Sequence, residues 1–140
     1  MHPEKELRLS PYAYVDINKD LTFSFSEFKE SFSTSMKHNF GTYDGSGEPI
    51  KLTLFEYYER FIYDEDYVAS HVIGNNQTIG QGNTLNNIKQ EYPEASFIEF
   101  HFTGFEPEFE GLDWKSLILV FEFFEGQWHL VGIVHNEWTI

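Results

Sequence analysis

From Asp113 to Ile140 the chain reads DWKSLILVFEFFEGQWHLVGIVHNEWTI, two runs of β-branched and aromatic residues around a Glu125-Gly126 step. No other segment constrains the fold as much. Such runs meeting at an X-Gly pair predict one long β-hairpin closed by a two-residue loop. The loop pairs Phe124 with Gln127, Phe123 with Trp128 and Glu122 with His129. The same register puts Leu117, Leu119, Phe121 and Phe123 on one face with Trp128, Leu130, Gly132 and Val134. It puts Ile118 and Val120 on the other face with Val131 and Ile133. Both faces are apolar in the middle, so each needs a cover, from helices, a second sheet or another subunit. Gly132 lies opposite Leu119 in this register, and bulk added there is expected to destabilise the fold.

The rest of the chain supplies that cover. Residues 1–20 read as an extended arm or edge strand, because Pro11 interrupts any helix there. Phe25, Phe28 and Phe32 fall at helical spacing and predict a short helix over Ser26–Ser33. Lys37–Tyr43 reads as a strand, followed by a turn at Asp44-Gly-Ser-Gly-Glu-Pro49. Thr53 and Glu56 form a capping-box pattern that opens a helix over Leu54–Tyr63, with Phe55, Tyr58 and Ile62 facing the core. A strand is expected at Ser70–Ile73 and a short helix at Thr84–Gln90. Ala95–Thr103 alternates as a half-buried strand, with Ile98, Phe100 and Phe102 inward and Glu99, His101 and Thr103 outward. There is no internal repeat or linker. The expectation is one α+β domain over residues 1–140, a curved antiparallel sheet with its long C-terminal hairpin packed on two or three short helices.

Charge and composition narrow the partners. A net charge of −14 from 23 acidic and 9 basic residues argues against nucleic acid and anionic membrane, both of which need a basic footprint. No apolar run is long enough to span a bilayer, so membrane insertion is not expected. The absence of cysteine excludes disulfides, thiolate catalysis and sulfur-ligated zinc. Aromatic residues make up 19% of the chain, 15 of them Phe, so the core is expected to be built from rings.

Two short helices ahead of an antiparallel meander, over roughly residues 24–140, resemble the cone-shaped nuclear-transport-factor-two-like, or cystatin-like, arrangement. That resemblance implies a curved sheet wrapped around a pocket. The segments TYDGSGEPIKLTLFEYY, GLDWKSL and HLVGIVHNEWTI are similar to segments of uncharacterised bacterial cell-surface-associated domains. This implies an extracytoplasmic location, with any signal segment outside this chain, and carries no chemistry.

Asp16-Ile-Asn18-Lys-Asp20-Leu-Thr22-Phe-Ser24-Phe-Ser-Glu27 resembles an EF-hand calcium loop. Asp16, Asn18, Asp20, the Thr22 carbonyl and Glu27 stand at the spacings at which oxygens converge on a hard cation. Leu21 replaces the glycine of such loops, and Pro11 interrupts the incoming helix. The competing reading is an Asx-rich turn running into a helix capped by Ser24 or Ser26.

Three further groups are candidates. His129, His135 and Glu137 alternate on the last strand, with Glu122 facing His129 and Ser116 opposing His135. Imidazoles and carboxylates so placed suit acid-base work or a transition metal. His129 and His135, however, lie about 20 Å apart along an extended strand at ~3.3 Å per residue. His101 can join His135 and Glu137 only from an adjacent strand. Asp113, with Trp114, Trp138, Tyr57 and Tyr58, would line a pocket whose burial raises its pKa and makes it a candidate base, as His135 is. Asp64-Glu65-Asp66 reads as a solvated charge run or a docking point for a basic partner.

The expected function is a non-catalytic binding or interaction module, dimeric through the apolar sheet, with a small molecule or protein as ligand. The alternatives are a pocket isomerase or hydrolase of the cone-shaped fold, and a calcium-dependent surface protein.

Overall fold

The computed structural model describes residues 1–139; the end of the predicted hairpin, Ile140, lies outside the described residues. The fold is α+β, built on a curved six-stranded sheet. Its strands are β1 (Leu7–Ser10), β2 (Leu21–Phe23), β5 (Val72–Asn75), β6 (Ser96–Phe102), β7 (Lys115–Phe124) and β8 (Gln127–Glu137). They run in the order β2-β1-β8-β7-β6-β5. Strands β3 (Lys37–Thr42) and β4 (Pro49–Thr53) form a separate two-stranded sheet. The helices are short: α1 (Phe25–Phe32), α2 (Leu54–Tyr57), which continues as a π-helical turn over Tyr58–Ile62, and α3 (Ile88–Glu91).

The β7–β8 hairpin turns where predicted, with Glu125 at φ 48° and Gly126 at φ 82°. Two successive left-handed residues make a type I′ turn, whose twist matches that of the strands it joins. Phe124↔Gln127, Phe123↔Trp128, Glu122↔His129 and Phe121↔Leu130 pair as expected. The register then shifts, because β8 carries an extra residue at Val131, and Val120 pairs with Gly132. A β-bulge of this kind sets two residues of one strand against one of its partner.

Past the bulge, every expected pairing moves by one position. Leu119 faces Ile133 rather than Gly132, Leu117 faces His135, and Ser116 faces Asn136. Leu117, Leu119, Ile133 and His135 therefore share one face of the sheet, here the helix face. Ile118, Val120, Gly132 and Val134 share the other, the loop face.

Each face has its own core. On the helix face, Leu7, Leu9, Leu117 and Ile133 pack against Phe40, Ile50, Leu54, Tyr57 and Phe61. Tyr57 stacks on Phe40 with ring centroids 4.1 Å apart. On the loop face, Ile118, Val120, Val131 and Val134 pack with Val15, Ile88 and Phe97, and Tyr92 lies against them.

Three expectations are corrected by this arrangement. The N-terminal segment is no edge arm, since β1 lies inside the sheet, antiparallel to β2 and parallel to β8. Leu7 and Leu9 bury on the helix face, which holds the strand there, and the sheet becomes mixed. Along the second helix the buried residues are Leu54, Tyr57, Phe61 and Ile62, while Phe55 is exposed. The Thr53–Glu56 capping box forms as read, but the π turn changes the helical period downstream of it. Finally, β6 is covered on both sides: Glu99 is fully buried and His101 nearly so.

A Cβ built on Gly132 meets the Tyr92 hydroxyl at 2.7 Å and Val120 at 3.4 Å. Gly132→Val is thus expected to lose about 1–3 kcal/mol, with Tyr92 rather than Leu119 as the obstacle. Thermal unfolding of G132V and of the double variant with Tyr92→Phe checks this. Relief in the double variant identifies the hydroxyl as the clash, and an unchanged midpoint in G132V would contradict the packing.

Candidate functional site

Two polar clusters are buried against the sheet, one on each face, and a patch of apolar sheet is left uncovered near the hairpin tip. The helix-face cluster centres on Asp64, which follows the π turn. Its Oδ2 accepts from Lys115 Nζ at 2.9 Å and from His135 Nε2 at 3.0 Å, and its Oδ1 accepts from the Tyr67 hydroxyl at 2.8 Å. His135 has no exposed surface and meets the Phe61 ring edge-on at 5.6 Å. Next to it, Glu137 accepts from Arg60 at 2.8 Å and lies 3.5 Å from His135 Nδ1. Burial alone would push the Asp64 carboxyl up, but His135 and Lys115 outweigh it and hold the group well below the usual carboxylate range. Asp64 is therefore no solvated charge run: it ties the helical layer to β7 and β8.

The loop-face cluster comes from β6, β7 and the glycine-rich segment before α3. Glu99 Oε2 accepts from the Gly80 amide at 2.6 Å and from the Ser116 hydroxyl at 2.8 Å. The Ser116 oxygen is also 2.7 Å from His101 Nδ1. These contacts form a chain, His101 to Ser116 to Glu99, beneath Trp114, whose ring packs 5.7 Å from that of His101. Among the described residues Glu99 Oε1 has no partner. Among the described residues no lysine or arginine pairs with Glu99, and His101 Nδ1 stands 4.0 Å from its Oε2; burial pushes the Glu99 carboxyl up despite the lowering effect of Gly80 and Ser116. Burial, assisted by His71, pulls the His101 imidazole down. The arrangement requires a bare peptide at Gly80, because a Cβ there would sit 2.5 Å from the Trp114 ring and 2.9 Å from Ser116 Oγ.

The residues singled out from sequence are distributed differently from expectation. Asp113 is not buried with Tyr57 and Tyr58, because Trp114 packs on the loop face and Tyr57 on the helix face. Its Oδ2 accepts the backbone N–H groups of Glu106 and Phe105 at 2.9 and 3.1 Å. Those bonds, Glu106 foremost, move its carboxyl down rather than up. It staples a loop. His101 and His135 lie on opposite faces, so they share no site. The Glu122–His129 cross-strand ion pair does not form: Glu122 takes Lys5, and His129 Nδ1 faces the Met1 carbonyl at 3.1 Å.

In the Asp16–Glu27 segment the side chains of Asp16, Asp20 and Thr22 have protein partners, while Asn18 and Glu27 are engaged through their backbone amides. Asp16 accepts the Asn18 amide at 2.9 Å in an Asx turn, and Asp20 Oδ2 accepts from Ser10 and from the Asp16 amide. Burial pushes the Asp20 carboxyl up to about 6, against the pull of Ser10. Thr22 lies in β2 opposite Arg8, its hydroxyl on Glu6. Glu27 is capped at its amide by Ser24 at 3.2 Å. Among the described residues no group of three or more His, Cys, Asp or Glu side chains is disposed to hold a metal.

The uncovered patch lies on the helix face, beyond the reach of the helices. A groove of about 420 Å³ is lined by Asn75, Asn76, Ser96, Ile98, Phe121 and Trp128. Ile73, Phe123 and Trp128 beside it are each more than half exposed, and Phe123 and Trp128 pack with centroids 5.2 Å apart. None of the lining residues is charged. Comparison with protein-family models, with curated proteins and with solved structures finds no match to this chain.

The two buried carboxyls predict opposite pH behaviour. Asp64 has a folded pKa below its ordinary 3.8, so its stabilisation is fully present above 3.8 and is lost as pH falls from there through the lower folded value. Glu99 has a folded pKa above its ordinary 4.5, so its contribution is greatest at low pH and declines as pH rises through the folded value. Asp64→Asn is expected to cost about 1–3 kcal/mol at neutral pH, because it removes the carboxylate on which Lys115, His135 and Tyr67 converge, and to flatten the acid limb. Glu99→Gln is expected to reduce the decline above pH 4.5. Urea unfolding across a pH series reads both, and matching profiles for the two variants would contradict the assignment.

Proposed function

We propose that the chain is a non-catalytic interaction module that pairs with a second copy of itself through the uncharged aromatic patch at the hairpin tip. The observation that carries this reading is Ile73, Phe123 and Trp128 lying exposed beside the Ile98–Phe121 groove, next to the edge strand β5. Exposed apolar area of this kind, concentrated on one face, marks an association surface. Aromatic side chains are also the usual energetic centres of such surfaces.

The charge balance favours a second copy that meets this patch face to face. Two chains of −14 repel almost everywhere else, and the groove lining carries no acid to oppose the approach. A symmetric dimer brings the same patch together from both sides. Supporting the non-catalytic reading, the acid and base groups are engaged in holding layers together: Asp64 with His135, Glu99 with Ser116, and Asp113 with the backbone.

Light scattering on the eluting protein, with sedimentation at several concentrations, tests this. A dimer is expected, and it should tighten as salt is raised, because screening weakens the repulsion between two acidic bodies. Trp128→Ser is expected to weaken pairing by about 30-fold or more, the loss typical of a central aromatic contact of roughly 2 kcal/mol. A monomer at all concentrations and salts would overturn the reading. Self-association that weakens with salt would also overturn it, because charge contacts rather than the uncharged patch would then hold the two copies.

A further inference from the structure

A second cleft, on the opposite face of the sheet from the aromatic patch, is built by the glycine-rich segment between β5 and α3. It is open to solvent and has a volume of about 480 Å³. Thr78, Gln81, Asn83, Thr84, Asn86 and Gln90 supply its polar lining, with Lys89 the one charged residue and Leu85 the one large apolar contribution. None of its lining residues is acidic, in a chain with 23 Asp and Glu.

We propose that this cleft is a binding site for a neutral saccharide. The lining excludes the other chemistries. A cation would be held by carboxylates; the lining has none, and Asp44, bonded to the lining Thr84 hydroxyl at 2.9 Å, is engaged there and by Thr139. An anion faces a single lysine against a net charge of −14. An apolar ligand finds one large apolar side chain, Leu85. Primary amides carry both donors and acceptors in one plane, which suits adjacent hydroxyl groups that donate and accept together. Gln81 and Gln90 are exposed and Thr78 is half-buried, so these groups are accessible to a ligand.

The segment is also held before any ligand arrives. At one end, the buried Glu99 grips the Gly80 amide at 2.6 Å. At the other, Asn87 is 7% exposed; its Oδ1 accepts from the Val15 amide at 2.6 Å and its Nδ2 donates to the Val15 carbonyl at 2.9 Å. Between them, Asn83 donates to the Thr139 carbonyl at 2.7 Å, and Asn86 accepts the Ile88 amide at 3.1 Å, which orients both amides. A frame fixed in this way lowers the ordering cost of binding. It also accounts for a fully buried carboxyl in the loop-face cluster without assigning it chemistry.

The test uses the full chain labelled with nitrogen-15, titrated to about 10 mM, the range of weak single-site affinities. The neutral probes are maltohexaose, cellohexaose and chitohexaose; a galacturonic acid oligomer and an unstructured neutral peptide are the other arms. At least one neutral oligosaccharide is expected to shift the amides of residues 78–90. The exposed double variant Gln81→Ala/Gln90→Ala, whose fold is checked by its unaltered shifts elsewhere, is expected to bind it about tenfold more weakly or worse. The inference is overturned if no neutral oligosaccharide shifts these amides, or if the shifts survive in the double variant. It is equally overturned if only the acidic oligomer or the peptide binds, or if the response maps to Trp128 and β5.

Discussion

The extra residue at Val131 is the constraint on which the arrangement of this domain depends. Side chains alternate along a strand, so one inserted residue moves everything beyond it to the opposite face. Without the bulge, Val134 would face the helices and His135 would face the glycine-rich loop. With it, His135 reaches Asp64 and Val134 joins the loop-face core. Gly132, placed beside the bulge, leaves room for the Tyr92 ring. The hairpin thus supplies both cores from a single pair of strands, and it assigns one polar cluster to each.

The two clusters show how the same residue type acquires opposite electrostatics from its neighbours. Asp64 and Glu99 are both withdrawn from water, which by itself disfavours their charged forms. Asp64 has Lys115 and His135 within 3.0 Å and is held as a carboxylate. Glu99 has a peptide N–H and a hydroxyl, which are weaker compensation, and its pKa rises. Removing one member of a buried pair generally costs more than the pair adds over an apolar replacement. Such groups therefore specify an arrangement more than they strengthen it. Here Asp64 aligns the π turn with the last strands, and Glu99 holds the glycine-rich segment across β6 and β7.

The uncovered groove on one face and the amide-lined cleft on the other follow from this layering. The helical layer is short, and it ends before the hairpin does, so Phe123 and Trp128 project past it. On the other side the covering layer is a loop pinned at Gly80 and Asn87. That leaves its intermediate side chains facing outward. Two surfaces of different chemistry result, one apolar and uncharged, the other polar and free of acids, on a domain that is otherwise strongly acidic.

Much of the fold was legible in the chain, and the physical reason is local. The type I′ turn follows from Gly126, the capping box from Thr53 and Glu56, a serine helix cap from Ser24 or Ser26, and the need for two covering layers from the apolar residues on both sides of the hairpin. Interactions between neighbours in sequence determined each of these. The alternation along β6 holds, but Glu99 and His101 are buried rather than outward, and a signal for that was present: a strand beside a hairpin that is apolar on both sides must itself be covered on both. The bulge at Val131, the insertion of β1 alongside β8, and the meeting of Asp64 with His135 have no local signature. They depend on which segments compete to cover each face, and only the assembled tertiary structure decides that competition, because register and burial are settled by packing between parts of the chain far apart in sequence.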